Sequence, residues 1–276
     1  MPNHCLGAVQ GEVELVCRLC AGPLTKKFNL IVLQKYTVDY FFCAGCHSLQ
    51  TEKPYWLGEA YGENNLSSLD TGAAQRNFYN LAASYGISKL FGVKNAIDIG
   101  GGDGLLCRLL RDYEVNCYVT DKYASPVYAQ GFTDPDFDKP EIVLGFEVLE
   151  HFADPVVDLV DVFKHQSKVI LLSTELFWGQ QKDWWYLVPD SGQHIFFYSA
   201  KSLELLAERY GYTVLARGGF VLFIRPDVSA IKRWIAGLLL SSRVCRLIKV
   251  LMAILPARGV AVDHSFQIEQ SKLRHK

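Results

Sequence analysis

Residues 95–104 read NAIDIGGGDG, a short apolar run that passes directly into a glycine-rich turn. The next residues, Leu105–Tyr113, have the apolar spacing expected of a helix. Glycines at the carboxyl end of a strand let the backbone approach a bound molecule closely. The stretch therefore predicts a strand, a ligand-binding turn and a helix, in that order.

This alternation of strands and helices extends along most of the chain. A helix is predicted ahead of the turn, at Ala73–Phe91. Two more are predicted behind it, at Asp154–Lys164, where an Asp cap precedes a proline, and at Ala200–Tyr210, which ends before a glycine. The other strands are predicted at Asn116–Thr120, Glu141–Phe146, Lys168–Ser173, Tyr212–Ala216 and Phe220–Ile224. The pattern predicts an α/β fold with a doubly wound, mostly parallel sheet.

An acidic residue follows the second of these strands at a spacing typical of nucleoside-binding sheets. Asp121 lies 21 residues after Gly100, where its carboxylate can accept both hydroxyls of a ribose. Residue 105 is Leu, although the dinucleotide-binding pattern has a further glycine there. These residues favour a nucleoside ligand and disfavour a nicotinamide or flavin cofactor.

The glycine turn resembles the Asp-x-Gly-x-Gly-x-Gly motif of class I S-adenosylmethionine-dependent methyltransferases. Residues 141–151, EIVLGFEVLEH, are similar to the fourth motif of that family, and residues 194–199, HIFFYS, to the stretch before the last helix in its ubiquinone-biosynthesis-like members. The resemblance implies a Rossmann-like catalytic domain whose cofactor is held by Asp98, Gly100, Gly102, Gly104, Asp121 and Glu147. Only 19 residues separate Asp121 from Glu141, so the strand that the family has there is expected to be very short or absent.

Three side chains are candidates for catalysis, and each has a structural alternative. His194 is the first candidate for a base, because imidazole titrates near neutral pH. Glu150 and His151 form a second candidate pair, at the carboxyl end of a predicted strand. The alternatives are a structural hydrogen bond for His194, and orientation of the following helix for Glu150 and His151.

Two pairs of cysteines predict a structural zinc site. Cys17 and Cys20 form one pair and Cys43 and Cys46 the other, with 22 residues between the pairs. Two such pairs can surround one zinc ion with four thiolates, which leaves no open coordination position. The segment resembles the zinc ribbon of sugar C-methyltransferases, although those enzymes carry a further C-terminal domain. The four remaining cysteines, Cys5 among them, are expected to be small apolar side chains.

The charge balance and the C-terminal segment limit the range of partners. The chain has 28 basic and 29 acidic side chains, which argues against nucleic-acid binding. The family resemblance implies a small-molecule or sugar acceptor. Residues 229–255 are apolar and basic, but their uncharged runs are too short to span a bilayer. Packing against the catalytic domain or a second subunit is favoured over contact with a membrane surface. The N-terminus lacks the pattern of a secretory signal, so a cytoplasmic location is expected.

These observations predict a zinc-ribbon-like module at residues 1–50 and a linker or lid at 51–72. A methyltransferase domain is predicted at 73–226 and a C-terminal helical extension at 227–276. The expected activity is methyl transfer from S-adenosylmethionine to oxygen or carbon of a small molecule or a glycan precursor. The alternative is a scaffold or adaptor with a zinc ribbon and a methyltransferase-like domain that no longer catalyses.

Overall fold

A computed structural model describes residues 15–62 and 70–274 of the chain. The first 14 residues of the predicted N-terminal module, with Cys5, lie outside these residues, as does part of the predicted linker, residues 63–69.

The central sheet has six strands and forms behind the glycine turn as predicted. Its strands are β4 (Asn95–Ile99), β5 (Asn116–Thr120), β6 (Ile142–Gly145), β7 (Val169–Ser173), β9 (Thr213–Arg217) and β10 (Phe220–Ile224). They are arranged in the order β5-β4-β6-β7-β10-β9. The first four are parallel, and β10 is antiparallel to both of its neighbours. This confirms the predicted doubly wound, mostly parallel sheet.

The helices around this sheet begin and end at the residues that the sequence marks. They are α2 (Ala73–Phe91), α3 (Leu105–Asp112), α4 (Pro155–Phe163) and α5 (Ala200–Tyr210). The Asp154 side chain accepts from the backbone amides of Val156 and Val157, so it caps α4 as expected. Gly211 ends α5 in the left-handed conformation. All residues between 121 and 141 are described, and none belongs to a helix or strand, which agrees with the expected loss of one family strand.

A second sheet joins the cysteine-bearing segment to the loop between β7 and α5. It contains β1 (Leu24–Val32), β2 (Tyr36–Cys43), β3 (Leu49–Thr51) and β8 (Phe196–Phe197), in that order. Leu49 pairs with Phe197 and Gln50 with Phe196, so the last strand comes from the loop that follows β7. A short helix, α1 (Leu57–Ala60), lies beside this sheet.

Within the described residues, three helices follow the last strand of the central sheet: α6 (Ala230–Leu239), α7 (Ser242–Met252) and α8 (Gly259–Arg274). Cys245 and Met252 of α7 are buried in the same core as the central sheet. The Tyr113 hydroxyl donates to the carbonyl oxygen of Met252 at 2.8 Å, and Arg111 makes an ion pair with Asp263. The expected packing of this extension against the catalytic domain is therefore present. No helix among the described residues is both long and apolar enough to cross a membrane.

Candidate active site

The glycine turn links the carboxyl end of β4 to the start of α3 in a conformation that larger residues would disturb. Gly100 has a φ of 67°, and a Cβ atom there would lie 2.3 Å from the Cγ1 of Val148. Gly102 has a φ of 55°, but a Cβ atom there would meet nothing within 4 Å. The backbone of the turn is therefore packed against Val148 at Gly100. At Gly102 the space beside the backbone is open, so a ligand can approach it there.

Asp121, at the end of β5, is held beside this turn by backbone amides. One carboxylate oxygen accepts from the amide of Gly102 at 3.0 Å. The other accepts from the amides of Tyr123 at 2.7 Å and Ala124 at 2.8 Å. Each oxygen has further lone-pair capacity, so the carboxylate is oriented and can still accept from hydroxyl groups. A cavity of about 260 Å³ lies next to it, bounded by residues 119–121, 124–126 and Thr133.

Asp98 is buried beneath the turn rather than exposed in it. Its side chain is 2% exposed, and its Oδ2 atom has no hydrogen-bond partner in the described part of the chain. Burial raises the pKa of Asp98 to about 7, and the carboxylate of Asp121 adds to the increase. A buried carboxyl oxygen without a partner next to a ligand-binding turn fits a ligand that carries hydrogen-bond donors or positive charge.

The polar residues after β6 lie at the carboxyl edge of the sheet, as their sequence positions predict. Glu147 has a φ of 54°, and its carboxylate accepts a 2.7 Å hydrogen bond from the hydroxyl of Ser173. The Ser173 hydroxyl also accepts from the amide of Glu147 at 2.9 Å. Glu147 is thereby held between β6 and β7, at the edge that carries the glycine turn.

Glu150, His151 and His194 come together at this edge, although His194 is 43 positions away from His151. One potential ligand atom from each side chain lies within 4.8 Å of the others. The rings of His151 and His194 are edge-to-face, with their centroids 5.0 Å apart. The amide of Ile195 donates to the carbonyl oxygen of Glu150 at 2.9 Å, so the backbone itself joins the two segments.

Burial shifts the pKa values of all three groups so that the neutral form of each side chain is favoured. Burial raises the pKa of Glu150 to about 8, with a contribution from the nearby carboxylate of Glu147. Burial lowers the pKa of His194 to about 4 and that of His151 to about 3, where His194 adds to the decrease. Both imidazoles are therefore neutral near pH 7.

The four cysteines predicted to bind zinc also lie close together in the structure. Cys17 and Cys20 lie on the turn before β1, and Cys43 and Cys46 lie at and just after the end of β2. Their sulfur atoms all lie within 4.8 Å of one another, with Cys17 to Cys46 at 3.6 Å and Cys20 to Cys43 at 3.5 Å. Sulfur atoms about 2.3 Å from a tetrahedral zinc ion are roughly 3.8 Å apart. The donor set fits such an ion.

Two residues near the candidate site, Tyr61 and Arg18, were not singled out in the sequence. The Tyr61 hydroxyl and Nδ1 of His151 are hydrogen-bonded at 2.9 Å, and the carbonyl oxygen of Tyr186 accepts from Nδ1 of His194 at 2.7 Å. Arg18, between the first two cysteines, donates to the carbonyl oxygen of Ile195 at 2.7 Å. No local pattern marks Tyr61 or Arg18, because their contacts to His151 and Ile195 join distant parts of the chain.

Comparison with solved structures finds methyltransferases at low identity. The mitomycin 7-O-methyltransferase MmcR is 18% identical with a TM-score of 0.43, and the alignment covers 61% of this chain and 59% of that one. Human N-acetylserotonin methyltransferase is 16% identical with a TM-score of 0.40. The alignment covers 61% of this chain and 56% of that one. The methyltransferase domain of bacterial CtHen1 is 18% identical with a TM-score of 0.39. The alignment covers 54% of this chain and 98% of that one.

The family assignment comes from the sequence. No curated protein gives a significant match to the chain. The family described as "Methyltransferase domain" matches residues 61–217, which include the glycine turn, Asp121 and the Glu150, His151 and His194 cluster. Since this match covers more than half of the chain, the protein belongs to the methyltransferase-domain family and is an S-adenosylmethionine-dependent methyltransferase.

Proposed function

We propose that the protein methylates an oxygen or carbon atom of a small molecule or a glycan precursor. The observation that carries this proposal is the meeting of Glu150, His151 and His194 at the sheet edge that also carries the glycine turn. Chemistry on an acceptor needs groups that can bind or take up a proton, and a purely binding domain has no need of them.

The glycine turn and its neighbours supply the cofactor contacts in this proposal. Gly100, Gly102 and Gly104 shape the backbone, Asp121 accepts from the ribose hydroxyls, and Asp98 and Glu147 place carboxyl groups nearby. The methyl donor, when bound, supplies a methyl group on a positively charged sulfur that an acceptor atom attacks in line.

The histidines act on the acceptor. A hydroxyl acceptor must lose its proton as it is methylated. The Nδ1–H group of His194 donates to a backbone carbonyl, which leaves the Nε2 lone pair free to take that proton. His151 lies alongside, where it can orient the acceptor or share the proton. Positioning supplies much of the remaining rate, because methyl transfer needs the two reacting atoms in line.

Binding of S-adenosylmethionine by zinc-loaded protein, measured by isothermal titration calorimetry, is the direct test. We expect micromolar affinity that Asp121→Ala reduces by about tenfold or more, because the variant loses the oriented carboxylate. Asp138→Ala, at an exposed carboxylate in the same segment, is the matched control and should bind normally. Absence of binding by folded, zinc-loaded wild-type protein would favour the non-catalytic scaffold instead.

We further propose that Cys17, Cys20, Cys43 and Cys46 bind a structural zinc ion, and that residues 1–50 form a zinc-ribbon-like module. The close approach of the four sulfur atoms supports this proposal. Thiolates that bind zinc must stay reduced, which is compatible with a cytoplasmic location. The boundaries of the linker at 51–72, the catalytic domain at 73–226 and the extension at 227–276 are part of the same proposal.

The outer surface of the C-terminal helices supports one further proposal, contact with an anionic lipid surface. Residues 228–262 contain six basic side chains and no acidic one, in a chain whose net charge is −1. None of the six takes part in an ion pair among the residues that the structure describes. Large apolar side chains are exposed beside them, at Trp234, Leu247, Val250, Leu251 and Ile254. Positive charge next to exposed apolar groups is complementary to an anionic membrane surface.

A further inference from the structure

The cavity beside Asp121 has one wall made of irregular backbone. This wall belongs to residues 122–141, here called the cavity loop, and none of its residues is in a helix or strand. Four of the residues that line the cavity come from it: Ala124, Ser125, Pro126 and Thr133. A loop without the regular hydrogen bonds of a helix or sheet is held in place only by contacts with its surroundings. Those contacts therefore determine how completely the cavity is formed before a ligand binds.

The first half of the cavity loop is attached to the glycine turn. The backbone amides of Val127 and Tyr128 donate to the carbonyl oxygen of Asp103, at 2.8 and 2.9 Å. Gly104 has a φ of 79°, and a Cβ atom there would lie 2.8 Å from the Cβ of Ala129. The loop and the turn are thus in direct contact, so a displacement of the loop changes the shape of the cavity.

The middle of the cavity loop is held from the other side of the sequence, by helix α8. The ring of Phe132 is buried and stacks on Phe266 of α8, with the centroids 5.6 Å apart. The guanidinium carbon of Arg111 lies 3.6 Å from the centroid of the same Phe132 ring. Next to this stack, the side-chain amide of Gln267 donates to the carbonyl oxygen of Gln130 at 2.9 Å.

Helix α8 also fixes the arginine that packs on Phe132. Asp263 accepts two hydrogen bonds from the guanidinium group of Arg111, both 2.7 Å long, and is 5% exposed. Asp263, Phe266 and Gln267 are spaced three and four residues apart, so they lie on one face of α8. Among the described residues, those that line the cavity include none from α8, so the helix acts on the cavity only through the loop.

We infer that α8 positions the cavity loop for cofactor binding, with Asp263, Phe266 and Gln267 as positioning residues that do not touch the cofactor. The inference rests on the proposed function, in which the ribose of S-adenosylmethionine binds at Asp121 and its nucleoside end occupies the adjoining cavity. The family match ends at residue 217, so a helix outside the matched domain completes the cofactor site. The coupling is reciprocal, because a cofactor that binds better to the ordered loop also stabilises the docking of α8.

The test is isothermal titration calorimetry of zinc-loaded, full-length protein with two ligands. One is S-adenosylmethionine, and the other is 5′-methylthioadenosine, which keeps the nucleoside and lacks the amino-acid end. Phe266→Ala should weaken both by the same factor, about fivefold or more, because only the nucleoside end meets the loop. Gln267→Ala removes an exposed bond and should weaken both by a smaller factor.

Two variants serve as controls and should bind both ligands normally. Val262→Ala changes an exposed side chain of α8. Tyr113→Phe removes the bond from α3 to the carbonyl oxygen of Met252, so it loosens the C-terminal extension without touching the cavity loop.

The failure of this inference is distinguishable from that of the proposed function. Wild-type binding that depends on Asp121, with Phe266→Ala and Gln267→Ala both as tight as wild type, would overturn the role of α8 alone. Gln267→Ala decides the outcome if Phe266→Ala does not fold, since its bond is at the surface. Weaker binding of S-adenosylmethionine with unchanged binding of 5′-methylthioadenosine would also overturn it. No binding by folded wild-type protein would overturn both proposals.

Discussion

The guanidinium group of Arg18 donates a 2.7 Å hydrogen bond to the carbonyl oxygen of Ile195, the residue after His194. Arg18 lies between Cys17 and Cys20, so this bond runs from the cysteine cluster directly to the candidate active site. The same side chain also donates to the carbonyl oxygens of Thr51 and Ala153, at 3.2 and 3.1 Å. Burial lowers the pKa of Arg18 to about 10, so it stays charged at neutral pH.

Replacement of Arg18 by Ala should loosen the segment that carries His194. Hydrogen bonds from a charged donor contribute about 1.5–3 kcal/mol each, but the contact to Ala153 is exposed and the contributions are not additive, so we expect a loss of about 2–4 kcal/mol in the free energy of unfolding. The backbone amide of Ile195 should also exchange with solvent faster. Urea unfolding and hydrogen exchange measure the two effects. Arg209→Ala, which removes a single 3.4 Å contact to Leu19, is the control and should cost far less.

Removal of one cysteine from the cluster should remove the zinc ion. Wild-type protein is expected to contain one zinc per chain by elemental mass spectrometry, and Cys43→Ser much less, since a hydroxyl is a poor zinc ligand. Stability should fall by several kcal/mol, because zinc binding is coupled to folding of the small sheet. Cys245→Ser is the control, because serine can replace the bond of its thiol to the Leu239 carbonyl oxygen. Zinc content equal in wild type and Cys43→Ser would contradict the assignment.

The buried carboxyl group of Asp98 should make stability depend on pH. Its pKa is raised from about 4 to about 7 in the folded protein, so the folded state keeps a proton that the unfolded state has lost. The contribution of this group is complete below pH 4 and is lost as the pH rises to 7, with a slope of at most about 1.4 kcal/mol per pH unit. Asp98→Asn should flatten this part of the profile.

Denaturant unfolding of cofactor-free protein at several pH values measures this difference. The comparison is between Asp98→Asn and wild type, so other titrating groups contribute equally to both. Parallel stability profiles from pH 4 to pH 7 would mean that Asp98 is ionised when folded.

The C-terminal helices should bind vesicles that contain anionic lipid. Sedimentation with phosphatidylserine vesicles is expected to recover the wild type, and neutral phosphatidylcholine vesicles should recover much less. Replacing exposed Leu247 and Val250 of α7 by Ser should reduce the bound fraction without loss of stability, since neither side chain is buried. Val156→Ser and Val157→Ser, on the exposed face of α4, serve as the control. Equal recovery with both lipids would exclude this surface as a membrane contact.

The sequence predicted the central sheet and its ligand-binding turn because their patterns are local. Residues 95–104 contain both the strand and the glycines that let its end approach a ligand. Asp154 and Gly211 mark helix ends through bonds to their immediate neighbours. The approach of the four cysteines was also predictable, because each pair forms its own short turn.

Other features depend on contacts between distant residues and could not be read from any window of sequence. The pairing of β3 with β8, and the bonds of Arg18 to Ile195 and of Tyr61 to His151, join segments that no local pattern relates.

The alternating elements, the glycine turn and the residue types at the carboxyl edge of the sheet follow from local sequence patterns. The burial of Glu150, and the position of His194 beside it with Nδ1 bonded to a carbonyl oxygen, arise from long-range packing. Propensity and periodicity act over only a few residues. Burial and hydrogen-bond partners depend on which distant segments pack together.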